Sequence, residues 1–144
     1  MKRTLPILLV TLFLCGCAAG NTPETTKAPD TTEAPALTYR QISMDEAAAL
    51  MERESHFILL DVRTPEEFAE KHIAGAINIP NEVIGTDEIP SLPDKDALIL
   101  VYCRSGRRSK EAAEKLVALG YTNIVEIGGI LDWQGATESG AGQE

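Results

Sequence analysis

The chain of 144 residues is poor in cysteine and in positive charge. Its three cysteines, Cys15, Cys17 and Cys103, form no C-x-x-C pair, so no disulfide framework or cysteine-based metal cluster is visible. The formal net charge of −9 excludes a basic footprint for nucleic acid and a polybasic surface for anionic lipid. An anionic substrate would therefore need a local positive site, and we expect neither a cofactor nor a metal.

The chain also lacks a hydrophobic run long enough to span a bilayer. The apolar run over residues 5–14 has about ten residues, whereas a transmembrane helix needs roughly twenty. Lys2 and Arg3 precede this run. A short positive start followed by a short apolar run is typical of a secretory signal, so residues 1–16 are predicted to be a signal peptide.

The segment Leu14-Cys15-Gly16-Cys17 resembles the lipobox of bacterial lipoproteins. The resemblance implies cleavage between Gly16 and Cys17 and attachment of lipid to Cys17, whose acyl chains would partition into the lipid bilayer. We therefore expect an exported protein, lipid-anchored at the extracytoplasmic face of the bacterial cell envelope. The alternative is an ordinary signal peptide that is cut near Ala19 and carries no lipid.

The rest of the chain divides by composition into three parts. Residues 17–37 are rich in threonine and proline and are predicted to be a lipidated, flexible tether, because few apolar side chains are available to order them. Residues 38–136 are predicted to fold as one domain of about a hundred residues, which is large enough for one core. Residues 137–144 are predicted to be a flexible tail.

Within the domain, strand patterns alternate with helix patterns. Strands are predicted near residues 39–42, 57–60, 76–79, 97–101 and 124–127. Helices are predicted to begin after Ser43 and Thr64, each followed three residues later by a glutamate of a capping box, and to cover residues 108–119. This alternation predicts an α/β fold with a parallel sheet, in which ligands bind beyond the carboxyl ends of the strands. Cys103 is predicted to lie at such a strand end.

The segment around Cys103 has the features of a site that stabilises negative charge. A nucleophilic cysteine must be a thiolate, and a loop that leads into a helix offers backbone N–H groups and the helix dipole to that charge. Gly106 permits a tight turn. Arg104, Arg107 and Arg108 stand where the dipole prefers acidic residues, which favours a bound anion. The alternatives are a small buried cysteine in the core and a solvated helix start.

Four segments occur in the order of the rhodanese family's signatures, and together they resemble a rhodanese domain from about residue 38 to residue 133. These segments are LLDVRTPEEF at 59–68, HIAGAINIP at 72–80, CRSGRRS at 103–109 and GGILDW at 128–133. The resemblance implies a five-stranded parallel sheet flanked by helices. It also implies a thiosulfate sulfurtransferase-like enzyme.

The resemblance further implies that Cys103 is the catalytic nucleophile and carries sulfur as a persulfide. The donor would be a small anion such as thiosulfate, and the acceptor would be a thiol or cyanide. The substrate-binding loop would consist of the residues that follow Cys103, namely Arg104, Ser105, Gly106, Arg107, Arg108 and Ser109. Structural support is expected from Asp61, Arg63 and His72. Trp133 is expected in the core.

Two other functions remain open. A related cysteine phosphatase would carry arginine six positions after its cysteine, where this chain has Ser109, so that function is disfavoured. A non-enzymatic sulfur carrier or docking module at the cell surface would use the same persulfide at Cys103. The sequence does not separate such a carrier from an enzyme.

Overall fold

The computed structural model describes residues 38–85 and 87–141. The predicted signal peptide, the predicted lipidation site Cys17 and the predicted tether lie outside the described residues. Among the described helices, none has both the length and the apolar character needed to cross a membrane.

A five-stranded parallel sheet forms the centre of the domain. Its strands are β1 Arg40–Gln41, β2 Ile58–Asp61, β4 Ile77–Asn78, β5 Ile99–Cys103 and β6 Ile124–Gly129. Their order across the sheet is β1-β6-β5-β2-β4. The predicted α/β fold with a five-stranded parallel sheet is thus confirmed. The strand β5 is buried at all five residues, as expected for the middle strand of a sheet that is covered on both faces.

The helices begin where the capping patterns predict. Helix α1 spans Met44–Arg53 and helix α2 spans Pro65–Glu70, and each begins with a capping box in which hydroxyl and glutamate caps are both formed. Helix α3 spans Arg107–Ala118 and directly follows the Cys103 loop. A single 3-10 turn at Ile130–Asp132 follows β6.

The alternation of side chains along β5 produces two cores, one on each face of the sheet. Ile99, Val101 and Cys103 face the core that contains the apolar side of α3. Leu100 and Tyr102 face the core that contains residues of α1 and Phe68 of α2. Cys103 therefore ends a row of buried side chains on the α3 side of the sheet.

A small antiparallel pair extends the domain beyond its predicted end. Strand β3 at His72–Ile73 pairs with strand β7 at Thr137–Glu138. The Gly140 N–H also donates to the Ala69 carbonyl at 2.8 Å. The prediction that the folded domain ends at residue 136 is therefore wrong for residues 137–140, because backbone pairing with a distant segment leaves no local pattern.

Candidate active site

Cys103 is the last residue of β5 and is the only cysteine among the described residues. Strand β5 is the middle strand of the sheet, so the loop that follows it lies between neighbouring strand ends on both sides. The residue is only 1% exposed. The thiol is therefore almost completely shielded from solvent.

Gly106 gives the loop the turn that brings its backbone to the sulfur. It is the N-cap residue of α3 and has φ of +98°, in the left-handed region that glycine occupies without strain. Its N–H donates to Cys103 Sγ at 3.1 Å. The tight turn that the sequence predicts at Gly106 is therefore present, and it directs the Gly106 N–H at the thiol.

Ser109 is the second side chain that reaches the sulfur. It lies in the first turn of α3 and is fully buried. Its Oγ is 3.5 Å from Cys103 Sγ and 2.6 Å from Glu126 Oε1. Its Oγ also lies 3.0 Å from the Gly106 carbonyl oxygen and 3.3 Å from that of Gly128. Ser109 is not the N-cap residue of α3, because that position is Gly106, which forms no side-chain hydrogen bond.

The surroundings of Cys103 change the pKa of its thiol in opposite directions. Burial alone raises the pKa, because desolvation penalises the thiolate. Hydrogen bonds from the Ser109 hydroxyl and from the backbone N–H groups of Ser109, Ser105 and Gly106 outweigh burial. The pKa of Cys103 therefore lies below its ordinary value, so the thiol ionises more readily here than in a free cysteine.

Glu126 is a site residue that the sequence analysis did not identify. It lies on β6, is 2% exposed, and accepts hydrogen bonds from Ser109 Oγ at 2.6 Å and from the Gly128 N–H at 2.9 Å. The available signal was a single charged residue inside the otherwise apolar run 124–127. A buried charge in a central strand requires partners, and here they are a serine and a backbone N–H of the active-site region.

The three arginines that follow Cys103 have different surroundings: Arg104 lies in the loop, and Arg107 and Arg108 are the first two residues of α3. Arg107 forms an ion pair with Glu111 one turn further along α3, and Arg108 forms an ion pair with Glu67 on α2. Arg104 is exposed and forms no ion pair with the described residues. The sequence argument that these charges favour a bound anion therefore applies to Arg104 alone.

An open cavity of about 370 Å³ lies beside the loop. Cationic side chains, two carboxylates and apolar side chains line it, including Arg63, Glu67, Glu70, Lys71, Arg104, Leu131 and Trp133. Leu131 is 65% exposed, which is unusual for a large apolar side chain. Trp133 is half-buried and packs against the α1 side of the core, so it belongs both to the core, as expected, and to the cavity wall.

Asp61 and Arg63 form a buried pair at the end of β2. The Arg63 guanidinium donates to Asp61 Oδ2 at 2.6 Å and to the Lys71 carbonyl at 2.7 Å. His72 stacks on Phe68 with 3.8 Å between ring centroids, and its Nδ1 lies 2.8 Å from the Phe68 carbonyl oxygen. These contacts are internal to the scaffold, and the structure places none of the three side chains in hydrogen-bond contact with Cys103.

Comparison with known sequences points to one family. The family model of the Rhodanese-like domain matches residues 43–136. The thiosulfate sulfurtransferase PspE of Escherichia coli (strain K12) is 41% identical over 73 residues, which is 51% of this chain and 70% of that protein. The thiosulfate sulfurtransferase GlpE of Pseudomonas entomophila (strain L48) is 36% identical over 91 residues, which is 63% of this chain and 80% of that protein.

Comparison with solved structures points the same way. A rhodanese with anions from E. coli is 37% identical, has a TM-score of 0.53, and the match covers 58% of this chain and 98% of that one. The solution structure of a rhodanese-like domain from Anabaena sp. is 29% identical with a TM-score of 0.63, covering 69% of this chain and 78% of that one. The region matched by the family model includes Cys103, its loop and Glu126.

Proposed function

This chain belongs to the rhodanese family, and from that premise we propose that it is a sulfurtransferase that carries sulfur as a persulfide on Cys103. The observation that carries the proposal is the position of Cys103 at the end of the middle strand, where its Sγ accepts a hydrogen bond from the Gly106 N–H at 3.1 Å. The lowered thiol pKa supports the same role, because the thiolate is the nucleophile.

In the first step, the Cys103 thiolate would attack the outer sulfur of thiosulfate. An electron pair of Sγ forms the new S–S bond, and the S–S bond of thiosulfate breaks with its pair leaving on sulfite. The negative charge of the thiolate then resides on the terminal sulfur of the persulfide. Backbone N–H groups at the start of α3 are suited to stabilise this anion, since they need no proton transfer to do so.

In the second step, a thiophilic acceptor would remove the terminal sulfur. With cyanide, the carbon lone pair forms the bond to sulfur, the S–S bond breaks, and its pair returns to Cys103 as thiolate while thiocyanate leaves. With a thiolate acceptor, the product is the acceptor's persulfide. Because a covalent intermediate separates the two steps, ping-pong kinetics are expected.

Thiosulfate is proposed as the donor on two grounds. Both sequence relatives described above are named thiosulfate sulfurtransferases. Arg104 also supplies an exposed cation within the Cys103 loop, and a dianion needs such a local positive charge in a chain of net charge −9.

Mass spectrometry of the purified protein after exposure to thiosulfate tests the proposal. We expect Cys103 to gain one sulfur atom and Cys103→Ala to gain none. A thiosulfate–cyanide assay then separates an enzyme from a carrier, because an enzyme forms thiocyanate over many turnovers. Absence of the added sulfur on correctly folded protein would refute thiosulfate as the donor.

Phosphatase activity is disfavoured by the surroundings of Ser109. An arginine at this position would clamp phosphate, whereas Ser109 is buried and its Oγ lies 2.6 Å from the Glu126 carboxylate. Hydrolysis of a phosphomonoester that is lost in Cys103→Ser would contradict this reasoning.

We also propose that the protein is exported and lipidated at Cys17. The support is the lipobox-like segment Leu14-Cys15-Gly16-Cys17 and the short apolar run before it. Expression in a bacterial host that processes lipoproteins tests this: the full chain should fractionate with membranes and carry lipid, and Cys17→Ala should carry none. Cys15→Ala is the matched control and should remain lipidated.

A further inference from the structure

The hydroxyl of Ser109 has one hydrogen and several acceptors within reach. Glu126 Oε1 lies 2.6 Å from Ser109 Oγ, and Cys103 Sγ lies 3.5 Å from it. A hydroxyl donates one hydrogen at a time, so the carboxylate and the sulfur compete for it. The shorter distance and the oxygen acceptor favour Glu126 when Cys103 is a neutral thiol.

Glu126 has few groups that could neutralise it. It is 2% exposed and forms no ion pair with the described residues. Its other donor is the Gly128 N–H at 2.9 Å. The Ser109 hydroxyl lies between the Glu126 carboxylate and Cys103 Sγ. A negative charge on Glu126 therefore destabilises the negative charge of the Cys103 thiolate.

The other charged and titratable groups around this pair belong to neighbouring elements. Tyr39 precedes β1, and burial followed by the carboxylates of Glu114 and Glu126 raises the pKa of its phenol. Arg108 on α3 interacts with the charge of Cys103, but its guanidinium is held by two hydrogen bonds to Glu67. Neither group occupies the position between Glu126 and the sulfur, which belongs to Ser109.

We propose that Glu126 is a positioning residue for sulfur transfer, whose carboxylate competes with Cys103 Sγ for the Ser109 hydrogen and so drives negative charge from Sγ onto the outer sulfur. This inference rests on the proposed persulfide chemistry. In the thiolate, the charge sits on Sγ and attracts the Ser109 hydrogen away from Glu126. On loading, the Sγ–S bond forms, the donor's S–S bond breaks, and the charge moves about 2 Å further away to the terminal sulfur.

The loaded state relieves the competition. Once Sγ is bonded to a second sulfur and no longer carries the charge, the Ser109 hydrogen returns to Glu126. No proton leaves or enters the site in this step. Glu126 thus makes the thiolate less stable and more nucleophilic, because the nucleophilicity of a thiolate rises with the pKa of its thiol.

Glu126→Gln tests this role because the amide keeps the size and one carbonyl acceptor but removes the charge. The pH dependence of iodoacetamide alkylation reports the thiol pKa, and it should fall by about one pH unit. Sulfur loading from thiosulfate should slow about threefold when it is measured at a pH above the thiol pKa of both the wild-type protein and the variant. Glu114→Gln removes an exposed carboxylate from α3 and should change neither quantity.

A double-variant cycle with Ser109→Ala separates competition from a merely structural effect. Ser109→Ala alone should raise the thiol pKa, since the thiolate loses a donor. In that background, Glu126→Gln should lower the pKa by much less than in the wild-type chain. Equal effects in both backgrounds would overturn competition for the Ser109 hydrogen as the mechanism.

The remaining outcomes also decide the inference. If Glu126→Gln is folded and leaves the thiol pKa and the loading rate unchanged, or raises the pKa, the inference is wrong. If Glu126→Gln does not fold, Glu126→Asp should give a smaller fall of the pKa in the same direction, and an unchanged or raised pKa would refute it. If wild-type Cys103 takes up no sulfur, the proposed function is wrong. The alkylation profiles would still show whether Glu126 raises the pKa of the Cys103 thiol.

Discussion

Arg108 and Glu67 form a two-pronged ion pair that joins the start of α3 to the start of α2. Arg108 Nη1 donates to Glu67 Oε2 at 2.7 Å, and Nη2 donates to Oε1 at 2.9 Å. Glu67 also accepts the Thr64 N–H at 3.2 Å as part of the capping box of α2. The Glu67 carboxylate therefore caps α2 and also binds the start of α3, the helix that follows the Cys103 loop.

The stability supplied by this pair should depend on pH. The pKa of Glu67 lies below its ordinary value of 4.5, chiefly because of the hydrogen bond from Arg108. A carboxyl with a lowered pKa stabilises the fold above its ordinary pKa and loses that contribution as pH falls through the folded-state value. Glu67→Gln should therefore cost about 1 kcal/mol of unfolding free energy near neutral pH.

Urea denaturation at about pH 7 and about pH 3 measures this difference, which should largely disappear at the lower pH. Glu70→Gln, which removes an exposed carboxylate from the same helix, is the matched control and should have little effect at either pH. A cost that is equal at both pH values would show that the ion pair is not its source.

Arg104 should contribute to binding of the anionic donor, whereas Arg107 should not. Arg104 lines the cavity beside the loop and has no carboxylate partner among the described residues, while Arg107 pairs with Glu111 and is 74% exposed. Arg104→Ala should raise the KM for thiosulfate about tenfold with little change in kcat, as expected when a binding interaction is lost. Steady-state kinetics of Arg107→Ala provide the comparison, and equal KM values in the two variants would rule out a specific role for Arg104.

Gly129 should be essential for the position of the loop. A Cβ added at Gly129 would lie 2.5 Å from the Ser105 Cα and would also strike the Arg104 backbone, so the loop would have to move. Gly129→Ala should lower kcat at least tenfold and cost about 1–3 kcal/mol of stability through overpacking. Activity and thermal denaturation are to be compared with Gly85→Ala, where an added Cβ meets nothing within 4 Å. Wild-type activity in Gly129→Ala would mean that the loop tolerates displacement.

The buried pair of Asp61 and Arg63 should matter for stability more than for chemistry. Asp61 is fully buried and Arg63 is 5% exposed, so Arg63→Met leaves a carboxylate without its guanidinium. The expected cost is about 3–5 kcal/mol, and the double variant Asp61→Asn with Arg63→Met should recover part of it. Chemical denaturation measures the unfolding free energy of the single and the double variant. A double variant that is less stable than Arg63→Met would contradict this explanation.

Much of the fold followed from local patterns. The capping boxes at Ser43 and Thr64 form as predicted, because both partners lie within four residues of each other. The buried run that became β5 was recognisable because a central parallel strand is apolar on both faces. The predicted strand end at Cys103 is confirmed, although the strand includes the cysteine itself.

The less predictable features all depend on residues that are distant in sequence. The ion pair of Arg108 was not recognisable from the sequence, because its partner Glu67 lies 41 residues away. The pairing of β7 with β3 was missed because two-residue strands carry no periodicity. Glu126 was visible as a charge in an apolar run, but its neighbour Ser109 lies 17 residues away.

The sequence by itself determined the class of fold, the helix starts and the choice of Cys103 as the proposed nucleophile. Those features depend on side-chain periodicity, on caps and on a loop whose residues are contiguous. Only the tertiary structure decided which arginine remains available to an anion and which carboxylate lies behind Ser109. Hydrogen bonds and ion pairs act over about 3 Å, and the folding of separate strands and helices into one sheet decides which groups come that close.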